Sequence, residues 1–138
     1  MDSGFFCLQV LGAFHQVQVD EAMLRHEHAA YLVPAADGSQ VFGLDAILLA
    51  ARSLGLTAKV VRQNADRLDK APWPAIALHQ DGRFFVIAKF DAGLNPETGE
   101  SRPRVLIQHA GSPPEVLSID ELLAQWAGEV IFFTSKAS

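Results

Sequence analysis

The sequence predicts an α+β domain in which a helical layer packs on a mostly antiparallel sheet, and three observations carry that prediction. Helical patterning crowds into the first third of the chain, while strand patterning fills the remainder. The order is helices first and then strands, with one late helix between strands, and segregated helices and strands make an α+β domain rather than an alternating one. The dipeptide Asp81-Gly82, set between two runs rich in β-forming residues, is a strong hairpin signal.

Taken in order, Phe5 to Val17 is apolar almost all round, the pattern of a helix buried in the middle of a domain. Asp20 reads as the N-cap of a second, more polar helix through "EAMLRHEH", followed by the loop "PAADGSQ". In "GLDAILLAARSLGL", Leu44, Ile47, Leu48, Ala51 and Leu54 form one stripe, and Gly55 stops the helix. "TAKVV" alternates as a strand does. "NADRLDK" reads as a short helix ended by Pro72 and Pro74. "AIALH", "QDG" and "RFFVIAKF" make the hairpin, "RVLIQH" a third strand, and "AGSPPE" a turn. Ser118 and Glu121 form a capping box for "IDELLAQWA", with Trp126 on its apolar side, and "EVIFF" is the last strand.

The 138 residues, 49% hydrophobic and 20% charged, suit one globular domain spanning 1–138 with a core that needs no staples. A net charge of -5 without a cluster of Lys and Arg argues against a nucleic-acid partner. The single cysteine, Cys7, excludes an internal disulfide and fits a reducing compartment. No apolar run reaches the roughly 18 residues of a membrane helix, and no glycine-rich loop ends in Lys-Ser or Lys-Thr. The N-terminal apolar block lacks the basic region and cleavage site of a signal peptide.

The segments "GFFCLQVLGAFH", "GLDAILLAARSLGLTAKVV", "RLDKAPWPAIAL", "DGRFFVIAKF", "VLIQH" and "EVIFFTSKAS" occur in the order and at the spacings of a known domain. The chain resembles the papain-like, bacteriocin-processing peptidase domain at the N-terminus of ABC exporters, and most of all its relatives in type I secretion exporters of haemolysins and other RTX proteins. The resemblance implies a papain-like fold and a place at the cytoplasmic face of the bacterial inner membrane. It also implies a longer protein that continues into membrane helices beyond "TSKAS". ATP and Mg would then be needed only in a nucleotide-binding domain outside this chain, and no cofactor in this one.

A papain-like peptidase needs a thiolate at a helix N-terminus, a histidine from the sheet, and an Asp or Asn to orient that ring. By the resemblance, the nucleophile position falls on Ser3 in "DSG", the base position on Phe84 in "DGRFFVIAK", and the acid position on His109 in "IQHAG". Phe84 has no atom that accepts a proton, and an unassisted serine hydroxyl stays un-ionised at neutral pH. All three therefore read as vestigial positions. The expected role is non-catalytic recognition of an unfolded RTX-type substrate, with the rest of a dimeric exporter, a periplasmic adaptor and an outer-membrane channel as further partners. Two alternatives stand beside it: a leader-cleaving peptidase whose nucleophile has been replaced, and a purely architectural domain.

Individual residues sharpen the expectation. Cys7, one turn deeper than Ser3 among apolar neighbours, reads as buried and inert. His26 and His28 are two apart and share no helix face, while His15, His79 and His109 fall on different elements, so no metal site is expected. Phe84 and Phe85 point to opposite faces of their strand, with Phe84 toward the cleft. Trp73, between two prolines, either plugs the sheet edge or joins a recognition patch. The candidate substrate-binding residues are Phe14, Trp73, Phe84 and His109.

Overall fold

A computed structural model describes residues 2–135. The first helix, α1 (Ser3–Phe14), begins earlier than its apolar run because Asp2 caps it, its carboxylate accepting the Phe5 N–H at 3.0 Å. The helix ends at Phe14 rather than Val17: Gln16 turns into the left-handed region (φ 60°), and "HQVQV" alternates polar and β-branched residues that favour extended chain. Asp20 caps α2 (Glu21–Glu27) as expected. A short 3-10 turn, Ala29–Tyr31, leads into β1 (Leu32–Pro34), which pairs antiparallel with β2 (Gln40–Phe42). These two strands were not anticipated, because three residues are too few to display a two-residue period. α3 (Leu44–Ser53) follows, burying Ala46, Ile47, Ala50 and Ala51.

The main sheet contains β3 (Leu56–Arg62), β4 (Ala75–His79), β5 (Phe84–Asp91), β6 (Arg104–Gln108), β7 (Glu115–Ser118) and β8 (Trp126–Ser135). Its spatial order is β3-β8-β4-β5-β6-β7, and each of these neighbouring pairs is antiparallel. The α+β class is thus observed. A 3-10 segment, Ala65–Lys70, occupies the place of the predicted "NADRLDK" helix. β7 begins on the last residue of the expected turn "AGSPPE" and runs through 116–118, where no strand was expected. α4 (Ile119–Leu123) carries the predicted capping box but is shorter than "IDELLAQWA". Trp126 accordingly opens β8 instead of lying on the helix, buried and with its indole N–H donating to the Glu129 carbonyl at 3.0 Å.

The sheet is covered on both faces. On one, α1 and α3 pack over Ile76, Phe84, Val86 and Ile131. On the other, Leu68 and Leu122 close over Phe85, Ile87, Val105 and Ile107. This second, smaller cover explains why Ala75–Ala77 and Phe84–Ile87 are buried without a break: a strand enclosed on both faces loses its polar alternation. The last segment of the family-like pattern, "EVIFFTSKAS", runs into residues 136–138, which lie outside the described residues.

Candidate functional site

The N-terminus of α1 and the start of β5 meet beneath an open groove. Strand pairing between β4 and β5, tightened by a turn in which Gly82 adopts φ 91°, delivers Phe84 to the first turn of α1. There the Phe84 backbone N–H donates to Ser3 Oγ at 3.1 Å. The Phe84 ring is 7% exposed, joined to the α1–α3 core below while still bordering the groove above.

The groove has a volume of about 830 Å³. Ser3, Phe84 and Leu78 form its floor, the β1–β2 hairpin (Val33, Val41) one wall, and the β4–β5 turn (Asp81, Arg83) the other. No histidine or cysteine is among the described residues lining it. Its charged groups are engaged at home. Asp37 accepts from the Ser39 side chain and N–H, which hold its carboxyl below the ordinary range. At Asp81 partial burial opposes ionisation, but the Arg83 N–H and guanidinium and the nearby His79 outweigh it, so this carboxyl too is lowered.

Behind the floor, Asp2 and Arg25 form a knot that the sequence did not reveal. Asp2 Oδ2 accepts from Arg25 Nη2 at 2.7 Å and from the Phe42 N–H at 3.0 Å. Arg25 also donates to Glu21 and to the Gln40 carbonyl, with its guanidinium over the Phe5 and Phe42 rings. Burial opposes the Arg25 charge, but Glu21 and Asp2 more than offset it, and its pKa is raised. The one available signal was "DSG" itself, since an aspartate before an apolar run is an N-cap pattern.

The remaining predicted residues do not join Ser3 and Phe84. His109 projects to the opposite face of the sheet, its ring 5.0 Å from Phe85, and its Nε2 lies 2.9 Å from Gln125 Oε1. The cause is strand alternation: Gln108 is the partner of Val86, on the α1 side, so the next residue points the other way. His79 and His109, read as unconnected, stand there with ring centroids 6.0 Å apart. Trp73 also belongs to that face, donating to the Leu68 carbonyl at 2.7 Å and packing on Phe132. Phe14 is 60% exposed at the far end of α1, roughly 16 Å along the axis from Ser3. The expectation that all five line one cleft is therefore corrected to two, Ser3 and Phe84. Cys7 is fully buried, and that burial pushes its thiol pKa up, with Asp2 adding to the effect. Among the described residues no three His, Cys, Asp or Glu side chains converge as metal ligands.

Comparison with known families matches residues 1–138 to the peptidase C39 family. The chain is 39% identical over 137 residues to the cyclolysin secretion/processing ATP-binding protein CyaB of Bordetella pertussis, covering 99% of this chain and 17% of that protein. It is 32% identical over 139 residues to the alpha-hemolysin translocation ATP-binding protein HlyB of Escherichia coli, covering 100% of this chain and 18% of that one. The chain thus spans less than a fifth of the curated relatives it matches. Among solved structures, a double glycine motif protease from an AMS/PCAT transporter, in complex with the leader peptide, superposes with a TM-score of 0.74 at 20% identity, covering 98% of this chain and 85% of that one. The N-terminal peptidase C39 like domain of a toxin secretion ATP-binding protein from Vibrio parahaemolyticus gives 0.70 at 21%, covering 99% and 98%. These likenesses establish the fold.

Proposed function

We propose, from the premise that the chain belongs to the peptidase C39 family, that this domain recognises substrate without cleaving it. Its cargo is an RTX-type protein, held unfolded before export by a type I secretion ABC transporter. One observation carries the reading. The groove beside Ser3 has Phe84 on its floor, and the contact between them is a main-chain N–H donated to a hydroxyl. That hydroxyl is an acceptor, and among the described residues no side chain hydrogen-bonds to it as a base, whereas acyl transfer needs both partners. What is left is an open, mainly apolar trough suited to extended chain. Binding is weak, micromolar or poorer, because an unfolded partner loses chain entropy on ordering.

The relatives that translocate or process toxins support the wider setting. In it the domain lies at the cytoplasmic face of the inner membrane, attached to a dimeric exporter that works with a periplasmic adaptor and an outer-membrane channel. ATP and Mg act in a separate nucleotide-binding domain. No helix among the described residues is long and apolar enough to cross a membrane.

The test is an NMR titration with a calcium-free, unfolded RTX-repeat segment, repeated after calcium has folded it. Shifts at Ser3, Val33, Leu78 and Phe84 with the unfolded form alone are expected. Equal binding of both forms, or shifts only at the His79–His109 face, overturns the reading. Family membership favours one rival, a leader-cleaving peptidase with a substituted nucleophile. Turnover after Ser3→Cys would establish it.

A further inference from the structure

The two walls of the groove are held very differently. The Asp81–Arg83 wall is the turn of a hairpin inside the six-stranded sheet. The β1–β2 wall is a separate sheet of three residue pairs, too short to be stable alone. Its position depends on what grips the free edge of β2.

That grip is ionic. The Gln40 carbonyl and the Phe42 N–H, two residues apart, leave β2 on the same edge, as strand geometry requires. Arg25 Nη1 donates to the carbonyl at 2.9 Å, and Asp2 Oδ2 accepts the N–H at 3.0 Å. Arg25 Nη2 closes the pair on the same Asp2 oxygen at 2.7 Å. The guanidinium–carboxylate pair thus serves this edge as a neighbouring strand would, one donor and one acceptor in register. Below it the Phe5 and Phe42 rings, 5.5 Å apart, carry the flat guanidinium on their faces. The other oxygen of Asp2 caps α1, whose first residue is Ser3. One side chain of α2 therefore fixes the groove wall to the groove floor without lining the groove itself.

We propose that Arg25 is a positioning residue that sets the width of the groove by tying the β1–β2 wall to the N-terminus of α1 through Asp2. This rests on the groove-binding reading above, and the test separates the two.

Amide hydrogen exchange is followed in the whole domain for Arg25→Gln, Arg25→Lys and Glu21→Gln, alongside titration with the calcium-free RTX-repeat segment. Arg25→Gln is expected to speed exchange at Val41 and Phe42 by about tenfold or more, the scale of a lost charged hydrogen bond, with Ile76 and Ile131 unmoved. Affinity for the segment falls several-fold in the same variant. Arg25→Lys lies between, since one ammonium cannot match the planar fork. Glu21→Gln stays close to the parent, because a glutamine oxygen still accepts from Arg25 Nε and the bonds to Gln40 and Asp2 are made by other nitrogens. Should Arg25→Gln fail to fold, Asp2→Asn, which keeps a capping oxygen but loses the charge, gives the same comparison. Unchanged exchange at Val41 and Phe42 overturns the proposal. So does a released hairpin that binds the segment normally while Phe84→Leu weakens it. If neither variant alters binding, the groove reading itself fails, and the positioning role with it.

Discussion

The Phe84 N–H and the Ser3 hydroxyl oxygen, 81 residues apart in sequence, lie 3.1 Å from each other where β5 meets α1. A nucleophile and its base need to lie within hydrogen-bond reach, and this meeting of a helix N-terminus with a strand brings two side-chain positions that close. Here the contact carries a main-chain hydrogen bond, and the strand residue offers a benzyl group.

Ser3→Cys is therefore expected to create a reactive thiol but no peptidase. The α1 N-terminus lowers the pKa of the introduced sulfur, while burial keeps Cys7 protonated. Iodoacetamide near neutral pH should alkylate the introduced thiol alone, by mass spectrometry of peptides. Gly-Gly leader peptides should stay intact, since Phe84 supplies no base. Leader cleavage by this single variant would mean that another residue acts as the base.

Phe84 joins groove and core, so its substitutions should split stability from binding. Phe84→Ala empties a site only 7% exposed and should cost about 3–5 kcal/mol, a large part of what a domain this size has. Phe84→Leu retains much of the volume, so the domain stays folded, yet the ring face is lost to the groove. Affinity for the unfolded segment should fall by about 1 kcal/mol. Calorimetry and circular dichroism on both variants give the two numbers. Native affinity in folded Phe84→Leu would move recognition elsewhere.

The elements legible in the sequence were those whose local signal agrees with their environment. The all-apolar run around Leu8 and Leu11, the stripe through Ile47 and Ala51, and the Asp81-Gly82 hairpin each announced themselves. β1, β2 and β7 did not, because strands of three or four residues on small or edge pairings carry too little period. At the site, Ser3 and Phe84 were legible through the family-like spacing. His109 was misplaced because spacing along the chain gives the position of a residue and leaves the face of its strand undetermined. Asp2–Arg25 was invisible, since the pair spans 23 residues and only packing brings α2 over the start of α1.

The turn wall of the groove should respond to acid through Asp81. Its folded pKa is lowered, so the folded state holds fewer protons than the unfolded one between the two values. The Asp81 contribution is thus fully present above the unfolded value of about 3.9, and is lost as pH falls through the lowered folded value. The carboxylate is partly exposed, so solvent screening keeps the effect below about 1 kcal/mol. Denaturant melts from pH 6 down to roughly 2 should show Asp81→Asn converging on the parent at the acid end, once the parent carboxylate is protonated. A gap that widens as pH falls would contradict this.

Gly4 tests the seam between α1 and the hairpin wall. A Cβ at this position would run into the backbone carbonyl of Phe42, with the Phe42 Cβ close behind. Helix backbone on one side and β2 on the other leave no flexible side chain to swing aside. Gly4→Ala should therefore destabilise by about 1–3 kcal/mol despite the better helix propensity of alanine, which alone would favour it by up to about 1 kcal/mol. The relief available is movement of the short β1–β2 hairpin, because α1 is locked into the core by Leu8 and Leu11. Amide shifts in the folded variant should accordingly concentrate at Val33, Val41 and Phe42 and spare β4 and β8. A variant as stable as the parent would show that the two elements pack with room to spare, and the hairpin would then rest on the buried Phe42 ring and the Asp2–Arg25 pair.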